Sequence, residues 1–527
     1  MIVTQRGLKV MKKDIVIETK YGKLRGTIQN GVCAFKGIPY GGPTGGKNRF
    51  MPPTPLRPWP GIRDATNYGP SCWQVVEGFN KLEYDLLGAV GGDTMSEDCL
   101  VLNVWTAGLN DNGRRPVMVW LHGGGFFEGS GDALPCNDGT SLAKTQDVVL
   151  ITVNHRLGVF GYLHLGEIAG ERYATSCNAG MLDLVAALEW IHDNIARFGG
   201  DPGNVTIFGV SGGGAKVCTL MAMPAAKGLF HHAIAESGIA LRAKTSDEAT
   251  QTARNFLDVL GVSPANIDVL HKMRADMIYG AWMALPPVPW IPTGKAQFSP
   301  VLDGISIPVH PFDPVAAPTA SDVSLMIGTN KDEMNFMLYR DPRFGKYDDI
   351  TMREGIIGSL KGRLIDITSE QVESLIEIYS LTRPGATPHD LLIAITSDIH
   401  RNASIRIAER KIAGGPAPVY MYLLNWESPA LNGMLKACHA LDIPFVFNNV
   451  EPTVGVIGDY PGRFELAHRM SGAWAAFARG SNPNHQGIPS WPVYSTEKRA
   501  TMIFDTVCRV EHDPCSEERK AWEGIIP

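Results

Sequence analysis

Gly209-Val210-Ser211-Gly212-Gly213 sets one hydroxyl among glycines, directly after the apolar run Val205 to Phe208. Gly-x-Ser-x-Gly at the passage from a strand to a helix is the pattern of a nucleophile elbow. The serine is forced there into a strained backbone conformation. Side chains two positions to either side would collide with neighbouring elements, so glycine stands at both. The strain projects the hydroxyl out of the sheet. The helix that follows, predicted from about Gly213 to Met223 ahead of Pro224, aims its free N–H groups and dipole at the same spot and favours a developing anion. That is the geometry acyl transfer needs. A phosphate-binding turn is the competing use of such glycines. The Gly-Lys-Ser/Thr ending of a P-loop is missing, however, and Lys216 comes one turn too late, on the helix.

A nucleophilic serine also needs a place for the oxyanion. His122-Gly123-Gly124-Gly125-Phe126 follows the apolar strand Val117 to Leu121. The missing side chains let backbone N–H groups come close to a substrate carbonyl oxygen. Gly124 and Gly125, with the N–H of Gly212, would make three donors, each worth roughly 3 kcal/mol in the transition state. His122 beside them is assigned to packing or loop bonding.

These groups must be held by something rigid. Short runs that are apolar on both faces, as buried parallel strands are, recur at Val117 to Leu121, Val148 to Val153, Val205 to Phe208, His232 to Glu236, Val323 to Gly328 and Val419 to Leu424. Leu184, Leu188, Ile191 and Ile195 fall on one helix face. Gly199 and Gly200 stop that helix, and Asp201-Pro202-Gly203 turns the chain into the next strand. Strand–helix alternation predicts a mostly parallel sheet wrapped by helices. Residues 241–297 and 339–412 break the alternation with charged helical pattern and Pro-rich joints, and are read as cap-like insertions roofing the C-terminal edge of the sheet. Residues 14–527 then form a single domain, with 1–13 as an N-terminal tail in which Met11 is an alternative start.

Composition narrows the function. A chain of 527 residues, 44% hydrophobic and 19% charged, can bury a large core, and its net charge of −6 argues against a nucleic-acid partner. No apolar run reaches the roughly 18 residues of a membrane span. The basic N-terminus lacks the apolar stretch of a secretory signal, which points to the cytoplasm. Nine scattered cysteines include no Cys-x-x-Cys pair, so no metal site is expected from them.

The ordered landmarks Ser96 to Trp105 (SEDCLVLNVW), HGGGFF, VNHRLGVFGYL, GNVTIFGVSGGG, AESG, FSPVLDG, GTNKDE and AWAAFARGSNPN resemble those of the type B carboxylesterases, from about residue 14 to 520. The family includes cholinesterases and bacterial para-nitrobenzyl esterases. The resemblance implies an α/β-hydrolase fold and a Ser…Glu…His triad: Ser211 as nucleophile, Glu333 as acid and His439 as base. Asp332, next to Glu333, is the rival acid. Ser237 matches a family serine near the triad, as a hydrogen-bonding neighbour or a plain turn hydroxyl. Cys72 and Cys99 match the family's first disulfide, while a cytoplasmic setting would keep them reduced; both states stay open.

The implied reaction is hydrolysis of a small-molecule carboxylic ester through an acyl-enzyme, without metal or organic cofactor. Alternatives are carbamate, amide or lactone cleavage, or a non-catalytic binding protein, which in this family characteristically lacks the nucleophile. Val210 stands where many members carry Glu, and the loop 73–98 holds Trp73 only at its start, with Phe79 and Tyr84 further on. Both departures argue against a cationic, choline-like leaving group. Phe126, Phe127, Trp282, Trp290 and Phe298 are the aromatic candidates for a substrate pocket. Oligomeric state is left open.

Overall fold

The apolar runs become the middle of one large sheet. The computed structural model describes residues 13–75, 94–288, 294–339, 341–361, 365 and 367–526. Trp290, Phe79, Tyr84 and Met11 lie outside the described residues. The strands are β1 (Lys13–Thr19), β2 (Gly22–Gln29), β3 (Val32–Pro39), β4 (Ile62–Asp64), β5 (Val101–Thr106), β6 (Arg115–Leu121), β7 (Val149–Val153), β8 (Gly200–Val210), β9 (His232–Glu236), β10 (Ser324–Asn330), β11 (Val419–Leu424), β12 (Ala500–Phe504) and β13 (Arg509–His512). They lie in the order β1-β2-β3-β5-β7-β6-β8-β9-β10-β11-β12-β13, with β4 on β2. From β7 to β12 every pairing is parallel. Antiparallel strands close both ends.

Alternate side chains of each central strand enter opposite layers, as the pleat requires. Val117, Val119 and Leu121 pack with Leu184, Leu188 and Ile191 of the helix Ala179–Asn194. Met118 and Trp120 pack on the other face with Met470, Trp474 and Phe477 of the helix Arg463–Gly480. The sheet is therefore covered on both sides. The predicted turn at 201–203 lies inside β8 rather than before it. The register with β6 shifts from Arg115↔Gly200 to Val117↔Val205, and the Gly203 N–H donates to Asp201 Oδ1 at 2.9 Å. The turn has become a bulge in a longer strand.

The segment after β9 holds the helices Ser246–Leu260 and Ala275–Ala284. The segment after β10 holds Asp349–Lys361, Ser369–Thr382 and Pro388–Gly414. These last three share a core of their own, built on Met352, Ile356, Leu375, Leu392 and Ile395, which Trp522 joins from the C-terminus. Among the described residues no helix is long and apolar enough to cross a membrane.

Candidate active site

The elbow begins with its strain. Ser211 sits at φ 57°, ψ −122°, between β8 and the helix Gly212–Leu220. Such a conformation costs a non-glycine residue of order 1–3 kcal/mol and persists only where its surroundings over-determine it. Here the Ser211 N–H donates to the Glu236 carbonyl of neighbouring β9 at 2.8 Å, and its own carbonyl accepts from Ala215 at 3.0 Å. The glycines on either side are required by space. A Cβ at Gly209 would stand 2.3 Å from the Leu121 carbonyl oxygen, and one at Gly213 only 2.0 Å from it. Gly213→Ala is accordingly expected to cost about 1–3 kcal/mol, measured as a lower denaturation midpoint in chemical unfolding.

The glycine loop follows β6, whose C-terminal end neighbours that of β8. Gly124 and Gly125 have φ of +81° and +58°, where a side chain would be strained. The loop and the elbow touch: a Cβ on Gly212 would fall 2.2 Å from the Gly125 carbonyl oxygen. Among the described residues, the N–H groups of Gly124, Gly125 and Gly212 donate to no acceptor within the fold. Three unspent backbone donors thus gather beside a partly exposed serine. His122 is buried, its Nδ1 2.8 Å from the Gly123 carbonyl and its ring stacked on His155 at 5.0 Å. Packing and loop bonding is where the structure puts it.

Glu333 and His439 follow β10 and β11. His439 Nδ1 lies 2.5 Å from Glu333 Oε2, both side chains buried. Glu333 Oε1 accepts the Asn330 N–H at 2.7 Å. Burial drives the Glu333 carboxyl up, but the charge and hydrogen bond of His439, the nearby His400 and the Ser237 hydroxyl outweigh it, and Glu333 ends below its usual range. Asp332 is directed elsewhere. Its backbone N–H donates to the Ala437 carbonyl at 2.9 Å and its carboxylate accepts the Ala437 N–H at 3.2 Å, which holds the loop that carries His439. Ser237, at φ 49°, is anchored by its N–H to the Gly328 carbonyl at 2.8 Å.

Several groups around this core escaped the sequence reading. Asp442, three residues beyond His439, is buried and accepts from Tyr422 Oη at 2.9 Å. Burial and the charge of Glu333 push its carboxyl up to about 6. Glu236, whose carbonyl holds Ser211, has a buried carboxyl that accepts from Trp474 Nε1 at 2.6 Å and is raised by burial and by Asp442. Asn330 donates its amide to the Cys438 carbonyl at 2.8 Å. The His400 ring lies 5.9 Å from that of His439. Polar residues inside apolar stretches were the available signal: Glu236 ends an apolar strand, and Asp442 sits in ALDIPFVF.

The remaining expectations divide. Cys72 and Cys99 are not joined. Both are buried free thiols, and Cys72 Sγ accepts the Leu157 N–H at 3.3 Å. Trp282 and Phe298 are core, packed edge to face at 6.2 Å. Phe126 and Phe127 are partly exposed beside the glycine loop. Trp73 is half-buried against Tyr279, 5.6 Å away.

Residues 13–522 match the model of the carboxylesterase family. The para-nitrobenzyl esterase of Bacillus subtilis is 37% identical over 96% of this chain and 98% of its own length. The phenmedipham hydrolase of Pseudarthrobacter oxydans is 32% identical over 93% of this chain and 94% of its own. Among solved structures, the carboxylesterase EST55 of Geobacillus stearothermophilus superposes with a TM-score of 0.83 at 37% identity, covering 96% of this chain and 99% of that one. The central parallel sheet and its covering helices are those of the α/β-hydrolase fold. The chain belongs to the carboxylesterase family and is a carboxylic-ester hydrolase.

Proposed function

We propose that Ser211, Glu333 and His439 carry ester hydrolysis through an acyl-enzyme, on esters whose alcohol is uncharged. His439 Nε2 takes the Ser211 proton as the hydroxyl attacks the carbonyl carbon. Gly124, Gly125 and Gly212 donate to the oxyanion. Collapse expels the alcohol, which receives the proton from His439. Water then attacks the acyl-serine, with His439 again as base. Glu333 holds the Nδ1–H tautomer and stabilises the imidazolium. The observation that carries this reading is the 2.5 Å contact between His439 Nδ1 and Glu333 Oε2, taken together with a strained serine and three unspent backbone donors. The uncharged alcohol is inferred from Val210, a buried apolar neighbour of the nucleophile. Residues 14–527 are taken as one catalytic domain, with 241–297 and 339–412 as its roof. A cytoplasmic location accords with Cys72 and Cys99 as free thiols.

A fluorophosphonate probe with peptide mapping tests the nucleophile. The adduct is expected on Ser211, with loss of turnover on a nitrophenyl ester. An adduct elsewhere, or full activity after stoichiometric labelling, would remove Ser211 from its role. Amide, carbamate and lactone substrates run alongside measure how far the site extends beyond esters.

Asp442 gives a second test. Its carboxylate and the His439 imidazolium attract each other. Asp442→Asn keeps an acceptor for Tyr422 and removes that charge, so protonation of His439 becomes harder. The acid limb of the kcat/KM profile is expected to move to lower pH by on the order of one unit. A limb that stays in place would mean that the charge at 442 does not reach the base.

A further inference from the structure

The helix Gly212–Leu220 carries one charged side chain, Lys216, and it is wholly buried. Its Nζ donates to the His122 carbonyl at 2.8 Å and lies 5.7 Å from the centre of the Phe126 ring. His122 and Phe126 are the residues immediately before and after Gly123–Gly125. The amine therefore grips both ends of the glycine loop from beneath, and it does so from the helix that begins at Gly212. Its hydrogen-bond acceptor is a carbonyl, not a carboxylate, and burial pulls the ammonium down to about 7. Burying such a group is costly, and a methionine would fill the same volume without that cost. The loop, in turn, needs an anchor. Two consecutive glycines at positive φ have many alternatives open to them, and the Gly212–Gly125 contact is a close approach with no hydrogen bond of its own.

We propose that Lys216 is a positioning residue for the oxyanion donors: by pinning the His122 carbonyl to the nucleophile helix, it holds Gly124 and Gly125 in register with Gly212. This rests on the reading of those three glycines as the oxyanion site. Lys216 touches no substrate, so its removal acts on the transition state through the loop.

The test is Lys216→Met, read by kinetics and by two inhibitors. One is a trifluoromethyl ketone, which forms a hemiketal oxyanion with the serine; the other is the matching methyl ketone, which resembles bound substrate. In the variant, kcat is expected to fall about 10- to 100-fold, with KM within about twofold of the parent. Affinity for the trifluoromethyl ketone should weaken by a similar factor while that for the methyl ketone holds. A folded variant whose kcat and trifluoromethyl ketone affinity match the parent overturns the proposal. Equal losses on both ketones also overturn it, since they mark a general disturbance of the pocket. Should Lys216→Met not fold, Lys216→Ala, which is smaller and cannot clash, carries the same comparison. Parent and Ser211→Ala enzymes run in parallel test the underlying reading separately. Tight trifluoromethyl ketone binding that depends on Ser211 can persist while Lys216 proves idle.

Discussion

Ser211→Ala is expected to lower kcat on a short nitrophenyl ester by about a million-fold, with the fold intact. The hydroxyl is the only thing removed. The structural work at this position is done by the backbone, through the N–H bond to Glu236 and the carbonyl bond from Ala215, and alanine keeps both. Alanine and serine pay similarly for φ 57°, so the unfolding free energy should stay within about 0.5 kcal/mol of the parent. A residual rate about 10³- to 10⁴-fold above water is expected, because the glycine donors still polarise a bound carbonyl. Stopped-flow turnover and circular dichroism melts decide this together. Turnover within tenfold of the parent in a fully folded variant would mean that the acyl group is carried elsewhere.

Glu333→Gln should cost about 10⁴-fold in kcat, nearly all of it through the tautomer at 439. Glutamine fits the same space, and its carbonyl oxygen can keep the Asn330 N–H bond made by Glu333 Oε1. The amide NH₂ then faces His439 Nδ1. It can only donate, so the imidazole must carry its proton on Nε2 and cannot accept one from Ser211. The variant is isosteric, and KM should change little. Asp332→Asn is the natural companion. Its carboxylate holds the Ala437 N–H and does not face the imidazole, so its loss should be far smaller. If Asp332→Asn proved the more damaging of the two, the acid would have to be reassigned.

What could be read in advance follows physical lines. β9 and β11 coincide with HAIAE and VYMYLL because strands buried on both faces leave an unbroken apolar run. The outermost antiparallel strands, β1, β2 and β13, were not singled out. β1 and β2 (KDIVIET, GKLRGTIQ) interleave charges with aliphatics, as half-exposed edges do, and that pattern is hard to tell from a loop. Ser211 and its glycines were legible because steric need is written locally, in residue types two positions apart. Glu333 and His439 were found through resemblance alone, since their contact joins residues 106 positions apart and no local rule encodes it. Asp442 and Glu236 went unread for the same reason, and Lys216 was read only as coming too late for a P-loop. Each is an unremarkable polar residue until the fold withdraws it from water and gives it a specific partner.

The order of strands across the sheet has a further implication. Ser211, Glu333 and His439 issue from β8, β10 and β11, with β9 between the first two supplying Glu236 and Ser237. These strands are drawn from positions 200 to 424 and zip together side by side. No proteolytic fragment that omits one of them is expected to cleave an ester. During refolding from denaturant, recovery of turnover should coincide with or trail the burial of Trp120 and Trp474 against the sheet, never lead it. Turnover thereby becomes a clock for the last stage of assembly.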